Sequence, residues 1–165
     1  MTVLFRNLFF LPAFCLLLSS VIFSQDAKFT HIGGEKGLSQ ASVNCILQDS
    51  KGYIWFGTAD GLNRYDGYEM KVFRNNPFDT NSLTENNIEC LYEDIKGTIW
   101  IGTHGGLNAY YPALNHFEHF QNDHAKPNSI SSDVIKCIYQ DRQGIYWVGT
   151  PYGLNSFDGK KDYFE

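Results

Sequence analysis

Asp60, His104 and Tyr152 sit in the same short connection of a string that the chain repeats three times. Together they offer a carboxylate acceptor, a donor that can switch protonation state and an aromatic ring face. That set suits recognition of a hydroxyl-rich ligand such as a glycan. The frame around them holds. Gly57-Thr58, Gly102-Thr103 and Gly149-Thr150 come before, and Gly61-Leu62-Asn63, Gly106-Leu107-Asn108 and Gly153-Leu154-Asn155 come after. Residues that change inside a constant frame can carry specificity, although loops under no constraint drift in the same way.

Other residues recur with the string but suit structure better than chemistry. Trp55, Trp100 and Trp147 return about every 45 residues. An indole can stack on a sugar, but identical placement in every copy favours packing between units. At about 150–250 Å² buried each, they should lead the stabilisation. Cys45, Cys90 and Cys137 also come once per copy. Equivalent side chains point the same way, so these read as small buried apolar groups, not as a disulfide framework or a metal site. The turns Asp49 to Gly52, Asp94 to Gly97 and Asp141 to Gly144 lack the alternating oxygen ligands of a calcium loop. Gly102 to Gly106 does not match a phosphate loop. His31, His104, His116, His119 and His124 are scattered. The reading includes no catalytic residue, no metal and no cofactor.

Such turns need a scaffold that sets them side by side. In the first unit, Val43 to Gln48 is a β-prone run, and the Asp49 turn follows it. Tyr53 to Thr58 and Leu62 to Tyr65 are further strands. Asp66-Gly67 is expected as a two-residue hairpin turn, and Tyr68 to Phe73 as a fourth strand. Four strands per unit at this period define a β-propeller blade. The expected fold is all-β: three four-stranded antiparallel blades plus an orphan outer strand, forming an incomplete ring preceded by a signal peptide. The expected division is a signal peptide over 1–24, the orphan strand over 25–36, and blades over 37–81, 82–128 and 129–165. The orphan strand centres on Phe29-Thr30-His31-Ile32, and Lys160 to Glu165 should be the outer strand of the third blade. The loops between second and third strands should share one face with the linkers around Ser39-Gln40, Asn81-Ser82 and Asn128-Ser129. Rings close with about 4–8 blades. Three blades leave two apolar faces open, so the chain reads as the amino-terminal piece of a longer polypeptide or a truncated gene. Alone, it is expected to be marginal and prone to association.

Bulk properties narrow the partners. With 43% hydrophobic and 19% charged residues the chain can fold, and its net charge of −5 without a basic stripe argues against nucleic acid. Arg6 precedes an apolar run from Leu8 to Phe23, after which Ser24-Gln25-Asp26 turns polar. About 16 residues make a helix of about 24 Å, short of a hydrocarbon core of about 30 Å. A cleaved signal peptide is expected, with an uncleaved anchor as the alternative, and either one exports the remainder.

The string Gly-x-Ile-Trp-x-Gly-Thr-x-x-Gly-Leu-Asn-x-Tyr, at Gly52 to Tyr65 and Gly97 to Tyr110, resembles the two-component regulator propeller repeat. The third copy, Gly144 to Phe157, departs at Tyr146 and Phe157. The opening Gly37-Leu38-Ser39-Gln40 also looks like the start of that family's sensor region. The resemblance covers residues 27–165. It implies two seven-bladed propellers in the periplasm, belonging to a hybrid two-component sensor of Bacteroidetes-type bacteria. A β-sandwich, a membrane helix, a histidine kinase, a receiver and often a DNA-binding module would follow. It further implies glycan or oligosaccharide sensing, and attachment to the inner membrane through a downstream segment. The implied partners are that ligand and the remaining blades and kinase modules of the same polypeptide. A homodimer of the full-length protein is compatible with it. No kinase motif occurs here, so no enzyme activity is expected of this chain. Two other classes stay open: a secreted propeller enzyme such as a polysaccharide lyase or hydrolase, and a non-catalytic secreted interaction module. The enzyme would need Arg, His, Tyr or paired carboxylates near the axis, and these units show no such set.

Overall fold

The computed structural model describes residues 27–159 and 164–165, so the segment expected as a signal peptide lies outside the described residues. Strands β1 (Val43–Gln48), β2 (Ile54–Thr58), β3 (Gly61–Tyr65) and β4 (Met70–Phe73) form one antiparallel meander in that order. Strands β5 (Ile88–Glu93), β6 (Ile99–Thr103), β7 (Leu107–Tyr111) and β8 (His116–Phe120) form the second. Strands β9 (Cys137–Gln140), β10 (Tyr146–Thr150) and β11 (Gly153–Phe157) form a third sheet of three described strands. These sheets are called blades 1, 2 and 3.

Of the four strands expected in the third blade, three are formed by described residues. Residues 160–163, most of its expected outer strand, lie outside the described residues. Glu165 nevertheless exchanges both backbone hydrogen bonds with Ser156 at 3.0 Å, so the chain runs against β11 where an outer strand belongs. The strand expected at Phe29–Ile32 is not formed: residues 27–33 carry no strand. An outer strand takes its backbone hydrogen bonds from a neighbour, and no described ladder includes these residues.

One carboxylate organises each blade. Asp49 Oδ1 accepts the backbone N–H of Lys51 at 3.0 Å and of Tyr53 at 2.9 Å, closing the β1–β2 turn. Its Oδ2 accepts the Trp55 indole N–H at 2.8 Å. Asp94 and Asp141 repeat this, with indole bonds of 3.0 Å to Trp100 and 2.9 Å to Trp147. Gly52 turns the chain with φ 90°, a value that side chains disfavour. The connection expected as a two-residue hairpin at Asp66-Gly67 instead spans residues 66–69. Asp66 Oδ1 accepts the N–H groups of both Tyr68 and Glu69, at 2.8 and 2.7 Å, which holds the wider loop.

The register gives each blade two unlike faces. Cys45, Leu47, Trp55, Leu62 and Phe73 fall on one face of blade 1, and Ile46, Ile54, Phe56 and Tyr65 on the other. The two cores are the joints where the Trp face of one blade meets the Ile face of the next. Trp55 and Leu62 pack with Ile88, Ile99, Ile101 and Tyr110. Trp100 and Leu107 pack with Ile135, Tyr146, Val148 and Phe157. Trp55 and Trp100, each inside a joint, are therefore 0% and 3% exposed. Trp147 is 38% exposed, because no described blade covers its face. Cys45, Cys90 and Cys137 are free thiols on the same Trp faces. Burial pushes the Cys45 thiol up to about 11 and the Cys90 thiol up to about 12, which keeps both unreactive. Cys137, expected to be buried, is exposed because it shares the open face with Trp147.

Glycine lets the blades approach. A Cβ at Gly57 would stand 2.7 Å from Ile88 Cγ2, and one at Gly102 would stand 2.8 Å from Ile135 Cγ2. At Gly149 such a Cβ would meet its own blade's Cys137 Sγ but no side chain of another blade. Gly102→Ala should therefore cost about 1–3 kcal/mol by overpacking, and Gly149→Ala clearly less. Urea unfolding midpoints of the two variants check this, and equal losses would contradict it.

Candidate ligand-binding face

A three-residue lattice ties each linker to the β2–β3 turn of its blade. Asn63 Nδ2 donates to Ser39 Oγ at 2.8 Å, Ser39 Oγ lies 2.9 Å from Thr58 Oγ1, and Thr58 Oγ1 donates to the Gly61 carbonyl at 3.0 Å. Ser39 N–H returns a bond to Asn63 Oδ1 at 2.9 Å. Thr84, Thr103 and Asn108 build the same lattice in blade 2, and Ser131, Thr150 and Asn155 in blade 3. Hence the linkers share a face with the β2–β3 turns at Ser39, Thr84 and Ser131. Asn81, expected on that face, stands instead at the other edge of blade 2, where its Nδ2 donates to the Asn115 carbonyl and its Oδ1 accepts the Phe117 N–H. The lattice also explains why Gly-Thr and Gly-Leu-Asn recur: the threonine and asparagine belong to it.

The three candidate residues stand on that face in three different blades, and none touches another. Asp60 is committed to an ion pair, with Arg74 Nη2 at 2.9 Å from Oδ2. The Arg74 guanidinium holds the Asp60 carboxyl below the usual carboxylate range. His104 is committed as well. Its Nε2 lies 2.5 Å from Glu89 Oε1, and its Nδ1 is 3.1 Å from Asn87 Nδ2. Those partners suit a neutral ring in which Nδ1 accepts and Nε2–H donates. Only Tyr152, 82% exposed, presents an uncommitted side chain. By the turn bonds, Gly105 rather than His104 matches Asp60 and Tyr152, since Gly105 N–H donates to Thr103 Oγ1 as those two do to their threonines.

Beside His104 lies a polar cluster that sequence reasoning missed. Of the first strands, β5 lies against β1 on one side and against β9 on the other. A bulge opens β1 and β5, where Asn44 and Glu89 fall at register shifts; Lys136, just before β9, donates its N–H to the carbonyl of the same Gly149 that Cys137 faces. Glu89 accepts from His104 and lies 3.3 Å from Lys136 Nζ. Asn44 Nδ2 donates to the Ile88 carbonyl at 2.9 Å. Burial opposes ionisation of Glu89, but the hydrogen bonds from His104 and Lys136 outweigh it and hold the carboxyl below its usual range. The signal was present in the sequence: one residue before each repeated cysteine, three different polar residues interrupt a constant frame. Lys136→Met should raise the Glu89 pKa toward its ordinary value, because a favourable cation is removed. A carboxyl titration followed by NMR checks this, and an unchanged value would contradict it.

Four-stranded antiparallel meanders joined Trp face to Ile face define this chain as an array of β-propeller blades. The sequence profile of the two-component regulator propeller family matches it at residues 37–60, 82–105 and 129–152. The chain carries three copies of that family's repeat. It is 54% identical over 48 residues to Histidine kinase P4 of Formosa agariphila, a match covering 29% of this chain and 4% of the relative. The extracellular domain of BT3049 from B. thetaiotaomicron, described as a hybrid two component system, is 31% identical with a TM-score of 0.77, covering 82% of this chain and 19% of that one. The extracellular domain of BT4673 from the same organism is 30% identical with a TM-score of 0.61, covering 73% of this chain and 17% of that one. BT4673 carries both the descriptions one component system and hybrid two component system. The chain thus spans about a fifth of each solved relative and a smaller share of the curated one.

Proposed function

We propose that the chain is part of the periplasmic sensing region of a hybrid two-component histidine kinase, that its ligand is a glycan or oligosaccharide, and that the signal passes to kinase modules on the same polypeptide. The observation that carries this reading is the likeness of the described fold to an extracellular domain of such a system, over 82% of the chain. The apolar segment before Ser24 supports export, and a downstream segment would hold the protein to the inner membrane. The linker face would meet the ligand, with Tyr152 as the stacking ring and the polar groups about Glu89 and His104 as hydrogen-bonding partners.

The full-length sensor, titrated calorimetrically with a panel of neutral and acidic oligosaccharides, should bind at least one of them. Changing Asp60, His104 and Tyr152 together to alanine should weaken that binding more than about tenfold. Affinity within about twofold of the parent would remove these residues from the site.

A further inference from the structure

At the end of blade 2 opposite the linker face, one small residue stands where the other blades carry large ones. The residue after the turn glycine is Tyr53 in blade 1, Ile145 in blade 3 and Thr98 in blade 2. A pocket of about 330 Å³ opens beside Thr98, between the β5–β6 turn, the β7–β8 connection and the β1–β2 turn of blade 1. That volume is at the small end of ligand sites. Both blades that form it are complete four-stranded sheets. Thr98 is 5% exposed. Its backbone is fixed: the N–H donates to Asp94 Oδ1 at 2.9 Å, and the carbonyl accepts the Asp94 N–H at 3.1 Å. Its hydroxyl has no hydrogen-bond partner among the described residues. Among those residues no fully buried side-chain polar atom lacks a partner, so Oγ1 reaches solvent through the pocket that Thr98 lines.

Lys51 and Lys96 line the same pocket, and neither forms an ion pair among the described residues. The carboxylates at this end are engaged elsewhere. Asp49 and Asp94 hold their turns and indoles. Glu93 takes the Ser50 N–H and hydroxyl, both at 2.7 Å, and Glu118 accepts the Tyr111 hydroxyl at 2.6 Å. No carboxylate lines the pocket. The polar groups left free in it are two ammonium groups and one hydroxyl. Beside them stand the exposed side chains of Ile95 and Leu114.

We propose that this pocket binds a small organic anion. Its carboxylate meets Lys51, Lys96 and the Thr98 hydroxyl, and its apolar body covers Ile95 and Leu114. Unpaired cations supply charge-assisted hydrogen bonds, and the apolar wall supplies contact area, which is the usual division of labour in a small-molecule site. The site uses none of the residues on the linker face, so this inference does not rest on the sensor reading.

The test is an NMR titration of the isotope-labelled full chain with benzoate. The Lys96, Thr98 and Leu114 amides should shift and saturate, with a Kd of about 1–10 mM. Benzyl alcohol keeps the ring and lacks the charge, and should bind at least about tenfold more weakly. Thr98→Ile installs the residue of blade 3, fills the pocket and should abolish saturation. Lys96→Gln replaces an exposed side chain and should weaken benzoate about threefold. Amide dispersion shows whether each variant folds, and Lys96→Gln decides alone if Thr98→Ile does not. Shifts that never saturate, equal binding of the two probes, or benzoate affinity unchanged in the folded variants would overturn the proposal.

Discussion

Asp94→Ala should lower the unfolding free energy by about 3–5 kcal/mol, among the largest losses of any single change here. Asp94 is buried, and four donors converge on it. Oδ1 takes the N–H groups of Lys96 and Thr98 at 2.8 and 2.9 Å, and Oδ2 takes Trp100 Nε1–H at 3.0 Å and the Tyr146 hydroxyl at 2.6 Å. The last bond crosses from blade 3 to blade 2. Removing the carboxylate opens the turn and strands an indole N–H and a hydroxyl in the core, each at about 1–3 kcal/mol. Burial alone would favour the neutral acid. The bonds from Tyr146, Trp100, Thr98 and Lys96 outweigh it and hold the carboxyl below its usual range. A depressed folded pKa contributes stability above the unfolded value of about 3.9, and that contribution is lost as pH falls through the folded value. Asp94→Ala should therefore flatten the acid limb as well as lower the plateau. Urea unfolding at neutral and acid pH, followed by tryptophan fluorescence, measures both. A loss below about 1 kcal/mol would contradict this account of the turn.

The tryptophans should separate by position. Trp55→Ala and Trp100→Ala should each cost about 3–5 kcal/mol, because each leaves a cavity in a closed joint. Trp147→Ala should cost about 1–2 kcal/mol, since its ring is only partly withdrawn from water. The three share chemistry, strand position and an aspartate partner, so only the covering blade differs. Unfolding midpoints of the three variants decide the matter. Equal losses would show that the joints are not where the stability lies.

Local features were legible in the sequence, and cross-blade features were not. The strands and the Asp-to-Gly turns follow from short-range pattern: a period of two, a turn residue, a glycine. The aspartate's second task, holding the indole six residues on, was not foreseen, although each Asp precedes its Trp by the same interval. The pairing of Asp60 with Arg74 and of His104 with Glu89 joins residues 14 and 15 positions apart. Only the register of the blade brings these together, so residues read as free ligand contacts are largely engaged already. Trp147 and Cys137 match their repeat counterparts in type, yet differ in burial because burial depends on the neighbouring blade.

The central claim is that these blades belong to the sensing region of a hybrid two-component kinase. The most direct test is the genomic reading frame past the codon for Glu165. The account predicts an open frame running into further propeller repeats, a membrane-spanning segment and a histidine kinase core. A frame that continues without any kinase core, or that stops at Glu165, would contradict it.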